Sequence, residues 1–129
     1  MPWVEVFVVF VVSHLVGDYL LQTEWQALNK RGGLTGTRTQ RLALSSHIAT
    51  YTIAYVPALV WLSGSLPAAI AVGAAIAIPH LIQDDGRLLA LYSKTFKHAD
   101  LSKNLALAAA LDQSFHIVAL FLTALVAGS

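Results

Sequence analysis

Four stretches of this sequence are apolar over about 20 residues or more: Trp3 to Gln22, Leu42 to Leu62, Leu66 to about Leu91, and Asn104 to Val126. At about 1.5 Å rise per residue, each is long enough as a helix to cross a hydrocarbon core about 30 Å thick. Composition agrees. The 129 residues are 57% hydrophobic and 12% charged, with a mean hydropathy of +0.66, whereas a soluble domain carries about a quarter charged residues. The chain reads as a single integral membrane domain over residues 1–129, an all-α, four-helix transmembrane bundle. The first stretch lacks a basic leader and contains His14 and Asp18, so it reads as a retained helix rather than a signal peptide.

Charge placement sets the expected orientation. Lys30, Arg31, Arg38 and Arg41 lie between the first and second stretches; Arg87, Lys94, Lys97 and Lys103 lie around the connection from the third to the fourth. Four alternating spans put both basic loops on one side. The positive-inside rule makes that side cytoplasmic and puts both termini outside, as in an inner, cytoplasmic membrane. The Ser63-Gly64-Ser65-Leu66-Pro67 turn makes the second and third helices an antiparallel hairpin, and Gly32, Gly33 and Gly36 predict a flexible first loop. Trp3, Trp25 and Tyr92 fall where interfacial aromatics belong. The net charge of +1 gives no reason to expect a nucleic-acid partner. The absence of cysteine excludes disulfides, thiolate metal sites and cysteine nucleophiles.

Against this apolar background the polar residues stand out. His14, Asp18 and Gln22 share one face of the first helix at i, i+4, i+8 spacing. His47 and Tyr51 repeat the i, i+4 spacing on the second helix, His80 and Asp84 on the third, and Asp112 and His116 on the fourth. Counted from the basic-loop ends, all four pairs lie at a similar depth, about one to two turns in for the first two helices. A charged side chain in hydrocarbon costs at least about 2.5 kcal/mol, so these groups must face the bundle interior and find partners there. Imidazole and carboxylate together form a ligand set for zinc, iron or manganese. His14, Asp18, His47, His80, Asp84, Asp112 and His116 exceed the needs of one tetrahedral ion. They suit two ions, or one ion with some aspartates fixing the histidine tautomers.

Other polar residues read more plainly. His98 is a solvated loop residue, Gln22 and Gln113 support the ligands or join helices, and Asp85 partners a basic loop residue. Pro79 removes a helix hydrogen bond beside His80. The small residues of 68–77, Gly73 among them, read as close helix contact.

The segment Ser13-His14-Leu15-Val16-Gly17-Asp18-Tyr19-Leu20-Leu21-Gln22-Thr23-Glu24-Trp25, with Asn29-Lys30, resembles the opening motif of small bacterial and phage membrane proteins grouped as domain of unknown function 3307. His47-x-x-x-Tyr51, His80-x-x-x-Asp84 and Asp112-Gln113-x-x-His116 resemble that family's later motifs. The likeness covers nearly the whole chain. Arg87 stands where the pattern leads one to expect lysine, and Asp85 and Gly86 depart from it. More distantly, the pattern is similar to predicted membrane-bound metal-dependent hydrolases, which implies hydrolysis by histidine- and aspartate-held metal.

The expected function is therefore a membrane-embedded, metal-dependent hydrolase. One or two divalent ions, zinc by preference and iron or manganese with the same ligands, would lower the pKa of a bound water for attack on an ester or phosphoester. Asp18 or Asp84, where not ligated, would serve as general base and Tyr51 as proton donor. The depth of the cluster points to a substrate reached from the cytoplasmic leaflet, such as a lipid or lipid-linked phosphate. Homo-oligomers are compatible with all of this. One rival is a divalent-metal or proton transporter or channel, although the outer halves of three helices offer no polar path. The other is a structural, holin-like phage membrane protein whose metal staples the bundle.

Overall fold

The computed structural model covers residues 1–129 and consists of helices without strands. Helix α1 spans Trp3–Leu15 and runs on through a wider π-helical turn, Val16–Leu20; α2 is Glu24–Asn29; α3 is Arg38–Leu62; α4 is Leu66–Asp85; α5 is Arg87–Tyr92, continued by a π-helical turn, Ser93–Lys97; α6 is Leu105–Ala127. Four helices are long and apolar enough to cross a membrane: Trp3–Leu20, Arg38–Leu62, Leu66–Asp85 and Leu105–Ala127. Helix α1 packs on α3 and α6, and α4 packs on the same two, so the four form a square bundle. Both termini lie together at one end, where Trp3 N donates to Ser129 O at 3.3 Å. The basic connections lie at the other.

The bundle inverts the usual distribution of polarity. Of 25 buried residues, ten are polar or charged, among them His14, Asp18, His47, His80, Asp84 and His116. Large apolar side chains instead face outward: Val4, Val8, Val12 and Leu15 on α1, Ile53, Val56 and Val60 on α3, and Val118, Leu122 and Leu125 on α6. Water would penalise such a surface, whereas hydrocarbon requires it. Toward the termini the interior turns apolar, closed by Val6, Phe10, Ala58, Leu59, Ile76, Leu120 and Ala124.

Several boundaries differ from the sequence expectation, each for a local reason. The first helix loses regular α geometry after Leu15 because Leu21 N bonds to Val16 O, five residues back, at 2.9 Å. Such turns cluster at functional positions, and this one carries Asp18. Helix α3 begins at Arg38 rather than Leu42 because Thr37 and Gln40 form a capping box. The third helix breaks at Gly86, whose φ of 82° ends α4 in a left-handed cap and starts α5.

The glycine-bearing first loop is not loose. Thr23 and Gln26 cap α2 within the connection. Gly32 N then donates to Asp85 O at 2.9 Å, and Leu34 N to Asp85 Oδ1 at 3.1 Å. Gly33 is there for closeness, not freedom: a Cβ on it would lie 2.5 Å from Leu44 Cβ and 2.7 Å from Gln40 O. Asp85 also pairs with Arg87 at 2.7 Å, the basic partner its position implied. His98 is exposed in the α5–α6 loop. Nearby, Asp100 accepts from the side chain and backbone of Ser102, which holds its carboxyl below the usual value.

Candidate metal centre

Asp84 is the geometric centre of the polar cluster. Its Oδ2 lies 2.8 Å from His47 Nε2, 2.9 Å from His80 Nε2 and 3.0 Å from Lys30 Nζ. Asp18 Oδ1 lies 3.0 Å from His47 Nε2 and 3.4 Å from His80 Nε2, and the two imidazole nitrogens are 3.1 Å apart. A tetrahedral ion with bonds of about 2.0–2.1 Å separates its ligand atoms by about 3.3–3.4 Å. Five edges of the His47, His80, Asp18, Asp84 tetrahedron are thus within about 0.6 Å of what such an ion sets. Four helical segments supply these atoms: α3, α4, the π-turn after α1, and the loop end of α2 for Lys30. All four candidate ligands are buried.

The other Asp84 oxygen faces a second group made of Asp84, Asp112 and His116. His116 Nδ1 lies 2.6 Å from the backbone carbonyl of Asp112. A carbonyl only accepts, so Nδ1 carries the hydrogen and the neutral ring presents a lone pair at Nε2. That lone pair faces Asp84 Oδ1 at 3.1 Å, and neither atom has a hydrogen-bond partner. Two lone pairs in a buried site face each other stably only with a cation between them, an added proton or a metal ion.

Around the two groups runs a hydrogen-bonded chain whose directions can be assigned. Gln113 Nε2 donates to Asp18 Oδ2 at 3.1 Å and reaches Asp112 Oδ2 at 3.4 Å, which turns its Oε1 toward His14. His14 Nε2 therefore donates to Oε1 at 2.7 Å, and Tyr51 Oη donates to His14 Nδ1 at 2.8 Å. Tyr55 Oη, 2.9 Å from Tyr51 Oη, donates to Phe10 O at 3.0 Å. The polar chain ends there, under the apolar plug.

Of the seven sequence-predicted ligands, six fall into the two candidate groups: Asp18, His47, His80, Asp84, Asp112 and His116. His14 sits beside them with both nitrogens engaged and its Nε2 3.8 Å from Asp18 Oδ2, orienting Gln113 rather than facing the ligand tetrahedron. Tyr51, expected as a proton donor, directs its hydroxyl to His14 and Tyr55, while its ring stacks on His80 with centroids 3.4 Å apart and planes 6° from parallel. Gln22 donates to Asp18 O at 3.1 Å. Asp112 alone among the site carboxylates is partly open, with 19% of its side chain exposed against 3% for Asp18 and 1% for Asp84.

Two residues of the site stood in the family motif but were given no role from the sequence. Lys30 counted otherwise as one of several loop cations, and nothing in helical spacing connects it with Asp84 on another helix. Gly17 marked no feature, yet a Cβ there would lie 2.7 Å from Tyr51 Cδ2; only its place between two motif residues hinted at it.

The chain belongs to the family described as protein of unknown function, DUF3307, which it matches over residues 6–128. Neither the curated proteins nor the solved structures contain a match.

Proposed function

We propose that this protein is a membrane-embedded, metal-dependent hydrolase whose two groups of ligand atoms share Asp84. Asp18 Oδ1, His47 Nε2, His80 Nε2 and Asp84 Oδ2 would hold one ion, and Asp84 Oδ1, His116 Nε2 and Asp112 would hold a second. The carrying observation is the His116 geometry: Nδ1 lies 2.6 Å from the Asp112 carbonyl and must donate to it, so Nε2 and Asp84 Oδ1, 3.1 Å apart, need an added cation, a metal ion or a proton, to join them. Charge supports the same reading. Three buried or half-buried carboxylates, Asp18, Asp84 and Asp112, face one ammonium, Lys30. The excess negative charge cannot persist in hydrocarbon without further cations.

Metal bound there would supply a hydroxide-like water and polarise an ester or phosphoester. The second group, with only three protein donors and a half-open Asp112, has room for a water or substrate oxygen. An Asp112 oxygen left free by the ion would take a proton from that water. Gln113 and His14 fix the Asp18 carboxylate, and the Tyr51 ring holds the His80 plane. Zinc suits the nitrogen-rich set, and manganese and iron accept it too. The basic-loop end of the bundle is the cytoplasmic one by the positive-inside rule, so substrate arrives from that leaflet. The apolar plug and the end of the polar chain at Phe10 O favour a one-sided site over a through-path.

Elemental analysis of the detergent-purified protein tests the centre. About two equivalents of metal are expected, with His80→Ala and His116→Ala each losing about one. Hydrolysis of phosphomonoester, phosphodiester and carboxyl-ester probes should vanish on chelation and return with metal. A folded protein that takes up neither zinc, iron nor manganese would overturn the reading in favour of a proton-loaded His/Asp cluster.

A further inference from the structure

A groove of about 450 Å³ runs between α4, α5 and α6, lined by Ile78, Pro79, Ile82, Leu88, Leu89 and Phe115, with Gln83, Tyr92 and Asp112 as its polar groups. Its volume is in the range of small-molecule sites. The mouth opens on the outward, apolar surface: Ile78 is 56% exposed, Leu88 60% and Phe115 36%. The inner end meets Asp112, the one half-open carboxylate of the centre. The other candidate ligands, Asp18, His47, His80, Asp84 and His116, have side chains only 0–3% exposed.

We propose that this groove holds an acyl chain of a bilayer lipid and delivers the lipid's ester or phosphoester sideways, from the membrane, to the metal centre at Asp112. The proposal rests on the hydrolase reading above and names its substrate class. Two observations fix the occupant. The mouth is flanked by outward apolar residues of the apolar helices α4 and α6 and bounded by Tyr92 on α5, where interfacial aromatics belong, so an amphiphile could enter from the lipid with its polar end near the headgroups. The inner end is lined by Asp112, a proposed ligand whose one protein donor, Gln113 Nε2, is distant at 3.4 Å, so an occupant with a polar reacting group matches it better than a wholly apolar one, such as a helix from a second copy of the chain. An amphiphile with an apolar chain and a polar reacting group satisfies both ends. Pro79 helps to shape the groove: lacking an N–H, it leaves the carbonyl one turn earlier, on Ala75, without its helical donor. Gln83, also in the lining, joins α4 to α6 by donating to Phe115 O at 3.1 Å. Tyr92 closes the α5 side edge-on against Phe115, with centroids 5.0 Å apart.

The test is photolabelling of the metal-loaded protein in phosphatidylethanolamine/phosphatidylglycerol vesicles containing a phospholipid with a diazirine on its acyl chain, with adducts mapped by mass spectrometry. Adducts should concentrate on Ile78, Ile82, Leu88 and Phe115. Ile82→Trp, which fills the groove, should reduce labelling and hydrolysis of long-chain phospholipid at least about tenfold with metal content unchanged. Val8→Trp, on the opposite apolar surface, should leave labelling as it was. Labels spread evenly over outward residues of all four spans, in protein that still holds metal, would overturn the groove and spare the hydrolase. Groove-centred labels in protein that binds no metal would overturn the hydrolase and leave a lipid site. Protein–protein cross-links from the groove would overturn the lipid in favour of a second copy.

Discussion

At the scale of single residues, the site depends on which nitrogen of each ring carries hydrogen. His116 and His14 are both histidines on a helix face, yet a backbone carbonyl frees Nε2 of the first for an ion, while Gln113 and Tyr51 engage both nitrogens of the second. The difference makes a prediction. Replacing Gln113 with leucine releases Asp18 and His14 together without touching a ligand atom. Metal affinity should fall about 10- to 100-fold, measured by chelator competition, with the helical content by circular dichroism unchanged. His14→Ala should weaken binding less than His47→Ala; equal losses of metal would show that His14 itself ligates. The sequence carried the ligand set well, because i, i+4 pairs on four apolar helices leave few ways to hide polar groups. It did not carry the division of labour within that set. Periodicity assigns a residue to a face, whereas donor and acceptor roles come from neighbours on other helices.

At the scale of elements, the bundle is held together at a few close approaches. The π-turn aims Asp18 inward, and Gly17 beside it lets the Tyr51 ring lie against the backbone. Gly17→Ala should cost about 1–3 kcal/mol through overpacking and lower the midpoint of thermal unfolding in detergent. It should also weaken metal binding, because Tyr51 can shift only by leaving the His80 face. Gly86 is a different case. Its φ of 82° makes Gly86→Ala cost about 1–2 kcal/mol of left-handed backbone, with stability lowered and metal content retained. That break at Gly86 was half legible in the sequence: the apolar run through Leu88 to Tyr92 fits either a prolonged third helix or a short helix of its own, and the left-handed Gly86 makes it the second. The capping boxes at Thr23 and Thr37 were on view as Thr-x-x-Gln, but the long apolar blocks drew the boundaries inward instead.

At the scale of the whole molecule, an apolar exterior surrounds an interior that is polar at the basic end and apolar toward the termini, which shifts the usual source of stability. Within a bilayer the helices gain little from burying leucine against leucine, so the hydrogen-bonded centre, with the ions proposed for it, would carry more of the association. Stability should therefore depend on metal and on pH together. Ligand nitrogens and carboxylates must be unprotonated to bind, so affinity rises with pH and falls on acidification. The unfolding midpoint of the loaded protein should drop as the medium is acidified and drop further with chelator, while the difference between loaded and stripped protein shrinks toward low pH. Orientation is testable on the same scale, because the chain has no cysteine of its own. In right-side-out vesicles, Gly64→Cys should react with a membrane-impermeant maleimide and Lys97→Cys should not; the reverse pattern would invert the assigned topology.

The ammonium of Lys30 touches Asp84 Oδ2 at 3.0 Å, the oxygen one ion would take, and it enters from a loop pinned to Asp85 rather than from a spanning helix. Lysine and ion cannot both occupy that position. On the proposed reading, an ion taking that oxygen would displace the ammonium, so the stem should withdraw as the centre is loaded, and the loop at the basic end would report what is bound inside. A fluorophore on that loop, or a protease acting there, would read the state of the buried centre from outside it.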